Sequence, residues 1–258
     1  MPSKGGWEEL SAWYDAKQGE EGDLWHRALI DPVLLRVMGN CKGKNILDMG
    51  CGNGYLSRRL ARQGARVTAL DASPGMIKKA KARDKGLGVR YIHSDASRMN
   101  GVSSSVFDIV FANMSLMDME DAEGAVGEVA RVLKKGGRFV ASISHPCFDV
   151  MSKSGWVAEK AMGKPPVVYR KVTGYRKPFA ELVPWAKSDG SRAETAGYHR
   201  PLSWYARVLH SNGLAMIALE EPEPSTEFIQ REQEQQGDLG GAGFLQVPLH
   251  LVIEAVML

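Results

Sequence analysis

The chain has little of what would mark a membrane, secreted or metal-bound protein. In its 258 residues no apolar run approaches the roughly 20 needed to span a bilayer. The N-terminal MPSKGGWEELSAWYD lacks the apolar stretch of a secretory signal. Only three cysteines occur, Cys41, Cys51 and Cys147, with no CxxC pair. That count argues against a disulfide scaffold and points to a reducing compartment, the cytoplasm. The six histidines are scattered without metal-ligand spacing, so no structural metal is expected. A net charge of +3 is too small to argue for nucleic acid by itself. No internal repeat is visible. This length suits one large domain, or a domain carrying a sizeable insertion, with an ordinary hydrophobic core.

What is present is a periodic pattern. Trp7 to Lys17 and Leu24 to Met38 carry apolar residues at helical intervals. Strand-like and helix-like segments then alternate. Asn45 to Met49 is a short apolar run ending in glycines, and Tyr55 to Gln63 has a helical period. Arg66 to Leu70 is a strand closed by Asp71. Ser73-Pro74 offers an N-cap with proline at the first helical position. Val89 to His93 and Val106 to Ala112 read as strands, Asp118 to Leu133 as a helix, and Arg138 to Ile143 as a strand. Such alternation predicts a parallel sheet with helices on both faces. From His145 to Gly197 the period is lost. That stretch reads as an insertion over the sheet's C-terminal edge, where open α/β sheets bind ligands. A helix from Pro201 to Leu209 and strands at Leu214 to Leu219 and Leu245 to Met257 complete the pattern. Between those strands, Glu221 to Gly243 is polar and reads as a mobile segment. The chain thus divides into a helical lid (1–40), a nucleoside-binding core (41–146), a cap insertion (147–197) and the rest of the core sheet (198–258).

The strongest local signal is Asp48-Met49-Gly50-Cys51-Gly52-Asn53-Gly54 between strand and helix, with the acid Asp71 ending the next strand. Glycines there permit a tight turn and close approach of a ligand to the backbone. Asp71 stands where a ribose-diol acceptor is expected. Pyrophosphate cofactors need G-x-G-x-x-G, but Tyr55 occupies the third glycine position. A bulky residue there suits a nucleoside cofactor without a pyrophosphate and disfavours a nicotinamide oxidoreductase. Cys51 reads as a small buried spacer, since no neighbouring base or cation would activate it.

In order along the chain, ILDMGCGNG, LDASPGM, YIHSDA, FDIVFANMSL and LKKGGRFVASISHP resemble the successive motifs of class I S-adenosylmethionine-dependent methyltransferases. The likeness covers about residues 24 to 146 and is nearest the small-molecule branch typified by ubiquinone and menaquinone methyltransferases. It implies a Rossmann-like, seven-stranded, mostly parallel sheet whose last strand is antiparallel. It also implies S-adenosylmethionine as cofactor and S-adenosylhomocysteine as product. By the same resemblance Gly50, Cys51, Gly52 and Gly54 would line the methionine part, with Asp48 near its ammonium. Asp71, followed by Ala72, would accept the ribose hydroxyls, and Met76 would pack on the nucleoside. Asp95 and the Ala96 backbone would meet the adenine. Asn113 would border the reacting methyl, and Tyr14 and His26 would fold over the cofactor from the lid.

The acceptor is harder to read. Methyl transfer needs mainly alignment and exclusion of water, with a base only where the acceptor loses a proton. His145, Tyr198 and His199 lie at the expected edge and are the candidate catalytic residues. The cap is basic, with Lys153, Lys160, Lys164, Arg170, Lys171, Arg176, Lys177, Lys187 and Arg192 among Tyr169, Tyr175, Phe179, Trp185 and Tyr198. One reading is a small aromatic acceptor with an acidic group, and another is RNA. Asn113-Met114-Ser115-Leu116 lacks the Asn/Asp-Pro-Pro-aromatic pattern of base-amine methylation. The same motifs are also compatible with protein methylation and with a non-catalytic S-adenosylmethionine-binding domain. Neither a membrane nor a nucleic-acid partner is expected, and the oligomeric state is not legible.

Overall fold

The computed structural model describes residues 6–159, 167–187, 189–236 and 238–258. Lys160 and Lys164 of the cap lie outside them. Eleven strands and eight α-helices are formed by the described residues. The strands β1 (Asn45–Met49), β2 (Arg66–Asp71), β3 (Arg90–His93), β4 (Phe107–Asn113), β5 (Leu133–Ser144), β10 (Leu214–Glu220) and β11 (His250–Met257) make one sheet. Its order is β10-β11-β5-β4-β1-β2-β3. Strand β11 runs antiparallel to both neighbours, placing Leu251 opposite Ile143 on β5, while β1, β2, β3, β4 and β5 pair in parallel. This is the expected seven-stranded arrangement with its last strand reversed.

Both faces of the sheet are covered, and the alternation of side chains shows how. On β4, Val110 and Ala112 enter one core with Val126 and Val129 of α5 (Ala122–Val132) and Val208 and Leu209 of α6 (Leu202–Ser211). Ile109 and Phe111 enter the other with Leu34 of α2 (Asp31–Met38), Leu56 and Leu60 of α3 (Tyr55–Arg62) and Ile77 of α4 (Pro74–Arg83). A strand buried on both faces reads as a continuous apolar run, hence FDIVFAN. Helix α4 starts as its sequence predicts, since the Ser73 hydroxyl accepts from Met76 N at 3.0 Å and Pro74 follows. Helix α5 starts later than the period suggests. Asp121 caps it by accepting from Gly124 N, and Leu116–Asp118 form a separate 3₁₀ turn. Helix α1 (Gly6–Gln18) lies across α4, and a π-helical turn, His26–Ile30, leads into α2.

Two expectations need correction. The aperiodic cap contains two antiparallel hairpins, β6 (Ser154–Glu159) with β7 (Val167–Val172) and β8 (Phe179–Ala186) with β9 (Arg192–His199). The supposed mobile segment forms helices α7 (Thr226–Gln236) and α8 (Asp238–Phe244). Burial explains the second case. Phe228 and Phe244 pack edge-to-face on Trp25 at 4.9 and 5.4 Å, a contact that a polar sequence window conceals.

Candidate active site

The glycine loop leaves the C-terminal end of β1. Gly50 N and Cys51 N both donate to Leu70 O at 2.9 Å, which pins the loop to β2. Gly50 has φ +79°, and a Cβ there would lie 2.5 Å from the Ser115 Cβ. Gly54 has φ +74° and no room beside the Tyr91 ring. Its glycine therefore serves helix packing, and it does not line the cavity. Asp71 holds the loop from below. Its Oδ2 accepts from Gly52 N at 2.8 Å and its Oδ1 from Ser73 N at 2.9 Å. Cys51 is buried, and burial pushes its thiol well up, so it is an inert spacer.

Beside this loop is a small cavity lined by residues including Tyr14, His26, Asp48, Gly50, Cys51, Gly52, Tyr55 and Asn113. Its chemistry is acidic. Burial raises the Asp48 carboxyl to about 7, against a hydrogen bond from Ser57 and with the charges of Asp71 and Asp31 adding to the rise. Asp31 Oδ1 accepts from Tyr55 OH at 2.9 Å and from Asn113 Nδ2 at 3.0 Å, while its buried Oδ2 has no partner. A Cβ on Gly52 would meet nothing within 4 Å. An open glycine surface beside the lining carboxyl of Asp48, with the buried carboxyl of Asp31 and that of Asp71 behind the walls, fits a cationic ligand that presents an ammonium.

The other nucleoside-side candidates lie apart from this cavity. Met76 is buried at the start of α4. Asp95 is exposed and accepts from Ser97 N and Oγ, and Ala96 beside it is buried. Ala72 is exposed, its carbonyl meeting His93 Nε2 at 3.1 Å. Helix α1 is tied over the loop from outside. Glu8 accepts from the Ser73 hydroxyl and from Gly75 N, Asp15 pairs with Arg83 at 2.7 Å, and Asn53 Nδ2 reaches Asp15 and Gly19 O.

A second cavity of about 660 Å³ opens on the far side of Tyr14 and His26, which line both spaces. Its walls are aromatic and apolar: Trp7, Trp25, Met114, Met117, Trp185, Tyr198 and Tyr205. Trp185 brings hairpin β8–β9 against α1, 5.5 Å from the Trp7 ring and 6.2 Å from that of Tyr14. The π turn places His26 at the junction of the two cavities. Its Nδ1 lies 2.7 Å from Asp23 Oδ1. Burial works to raise the Asp23 carboxyl, but the His26 hydrogen bond and charge prevail and hold it at about 2. Gln18 Nε2 lies 3.2 Å from the same ring nitrogen, so Asp23 and Gln18 together fix the orientation of the ring at the junction.

The three catalytic candidates fare differently. His145 does not line the larger cavity, and both its ring nitrogens are engaged, with Cys147 N at 3.1 Å and Glu221 Oε1 at 3.1 Å. It holds the turn after β5, and burial lowers its pKa. His199 does line the cavity, but its Nε2 is spent on Tyr175 O at 2.8 Å. Tyr198 also lines it, and burial raises its hydroxyl pKa, which makes it a poor base. Sequence reasoning missed Asp23, Asp118, Arg200 and His250. Asp23 lies just before the turn and also accepts from His26 N at 3.1 Å, a capping position three residues ahead of the histidine. Asp118 looked like an ordinary first-turn acid, yet burial raises it to about 8. Burial depresses His250 to about 3, with His26 and His145 adding to the effect. None of the cap cations Lys153, Arg170, Lys171, Arg176, Lys177, Lys187 and Arg192 lines the cavity.

Residues 47–141 fit the family model described as a methyltransferase domain. The chain is 31% identical over 205 residues to a ubiquinone biosynthesis O-methyltransferase of Coxiella burnetii, covering 74% of this chain and 85% of that protein. It is 32% identical to the enzyme of that description from Klebsiella pneumoniae, over 68% and 73% of the two chains. Among solved structures, an S-adenosylmethionine-dependent methyltransferase from Mesorhizobium loti superposes with a TM-score of 0.68 at 25% identity, over 87% and 96% of the two chains. Among the described residues no helix is long and apolar enough to cross a membrane.

Proposed function

The chain belongs to the class I S-adenosylmethionine-dependent methyltransferases, and on that premise we propose that its 660 Å³ cavity receives a small, largely aromatic methyl acceptor whose hydroxyl is the atom modified. The cofactor supplies an activated methyl group on a sulfonium. This chain's residues hold it, align the acceptor with it and keep water out. Asp48 would meet the ammonium. The backbone of Gly50, Cys51 and Gly52 runs along the methionine part, and Asp71 takes the ribose hydroxyls while tethering the loop. Ala72, Met76, Asp95 and Ala96 stand on the nucleoside side, and Asn113 on the methyl side. Helix α1, with Tyr14, covers the site as a lid, and hairpin β8–β9 caps the acceptor.

The observation that carries this reading is the position of Tyr14 and His26 between the two cavities. His26, held by Asp23, lines both cavities and is the group proposed to take the acceptor's proton, which supports a hydroxyl acceptor. The unpaired cysteines support a cytoplasmic setting.

A ligand that binds only the folded state stabilises it by RT ln(1 + [L]/Kd), about 2.7 kcal/mol at a hundredfold excess. Thermal melts with S-adenosylmethionine and S-adenosylhomocysteine should shift upward, and melts with NAD should not. Asp71→Ala should weaken cofactor binding about 10- to 100-fold, the size of a lost charge-assisted hydrogen bond. Unchanged affinity in calorimetry would remove Asp71 from the site.

A further inference from the structure

The cap's surface cations suggest an acidic acceptor for the wrong reason, because none of the described ones lines the cavity. The cation that does is Arg200, just past β9. It is only 7% exposed and makes no ion pair among the described residues. Its Nη2 donates to Met119 O at 2.6 Å and to Glu120 O at 3.0 Å. The guanidinium lies over the Tyr198 ring at 5.1 Å and the Trp204 ring at 4.9 Å. Nη1 is buried without a hydrogen-bond partner. The other cation lining the cavity, Lys17, is held by Asp23 at 3.4 Å. Burial lowers the Arg200 pKa, with Tyr205 next to it opposing the shift, yet a guanidinium stays charged in a protein. A buried charge with no ion pair, only the more distant charge of Asp121, is costly, and a ligand anion would lower that cost.

A second group lining the cavity points the same way. Asp118 directly precedes Met119, whose carbonyl holds Arg200. Burial raises its carboxyl to about 8, against a hydrogen bond with Trp7, so it is largely protonated at neutral pH and can donate. We propose that Arg200 binds a carboxylate on the methyl acceptor, with Asp118 as a further polar group lining the same cavity, which makes the acceptor class an aromatic carboxylate. A planar guanidinium suits a carboxylate, and the aromatic walls suit a ring. Glu181 and Asp149 line the same cavity and disfavour a doubly charged phosphate. The inference rests on reading this cavity as the acceptor site.

The test is isothermal calorimetry on the full chain, with and without S-adenosylhomocysteine, using 2-naphthoate against 2-naphthamide and benzoate against benzamide. The wild type should prefer each carboxylate over its amide by at least about tenfold. Arg200→Gln should abolish the preference, and Arg200→Lys should keep part of it. S-Adenosylhomocysteine binding, measured on the same samples, reports whether each variant is folded. Equal affinity for acid and amide in the wild type overturns the proposal, as does failure of every carboxylate to bind. A preference that survives in a folded Arg200→Gln also overturns it. A wild type that binds no S-adenosylhomocysteine overturns the cofactor reading instead, and the carboxylate preference is still measured on the unliganded chain.

Discussion

The glycine loop and the acceptor cavity meet at Tyr14 and His26 and are built in opposite ways. The loop is made of backbone. Two amides share the Leu70 carbonyl, a third donates to Asp71, and positive φ angles at Gly50, Gly52 and Gly54 set its course. Everything essential lies within one strand–turn–helix unit and the end of the neighbouring strand. The cavity is made of side chains from α1, the π turn, the 3₁₀ turn, hairpin β8–β9 and the start of β11. No two neighbouring residues define it. A backbone site keeps its geometry through many sequences, because its bonds need only glycine and an acid. A side-chain site is remade whenever a wall residue changes. A conserved cofactor and a variable acceptor are the natural consequence.

The largest expected effect tests the loop as a backbone construction. Gly50→Ala adds a Cβ 2.5 Å from Ser115 at positive φ. Left-handed strain costs about 1–2 kcal/mol and overpacking about 1–3 kcal/mol. At about 2–4 °C per kcal/mol for a chain of this size, the melting temperature should fall by on the order of 10 °C. A melt within a degree of wild type would show that the loop is not packed this way. Next in size is a pH effect. The raised Asp48 carboxyl is neutral below about 7 and ionised above it. Its contribution to stability is therefore present at low pH and lost as pH rises through 7, while attraction for the cofactor's ammonium grows. S-Adenosylhomocysteine affinity should rise about 3- to 10-fold from pH 6 to pH 8, and Asp48→Asn should flatten the profile. A flat wild-type profile in calorimetry would separate Asp48 from the ammonium. The smallest effect concerns the cap surface. Lys171→Ala and Lys177→Ala, both at exposed positions, should change stability by less than about 0.5 kcal/mol and leave 2-naphthoate affinity unchanged. A several-fold loss of that affinity would return the cap lysines to the acceptor site.

Legibility followed the same division. Strands β1, β2 and β4 announce themselves because both faces are buried, and Ser73-Pro74 marks the start of α4. The β8–β9 hairpin does not. On β8 the inward residues are Phe179, Glu181, Val183 and Trp185, and the outward ones are Ala180, Leu182, Pro184 and Ala186. Apolar residues on both sides erase the period-two pattern. Helix α8 was equally opaque, since DLGGAGF is a poor helical sequence, yet Gly243 is required where a Cβ would lie 2.9 Å from the Trp156 ring. Among the site residues, Asp48 and Gly50 to Gly52 came from the motif, and Tyr14 and His26 came from the lid. His145 was misjudged because its position after β5 says nothing about where its ring points.

The sequence by itself determined the doubly covered sheet, the glycine loop with its acid on the next strand, and the class of cofactor. These depend on local spacing, burial period and backbone conformation, all of which are written in consecutive residues. Only the tertiary structure decided that His26 pairs with Asp23 between two cavities, that both ring nitrogens of His145 are engaged, and that Arg200 lines the larger cavity with no ion pair among the described residues. A side chain's partner, and the cost of lacking one, depends on which distant segments exclude water from it.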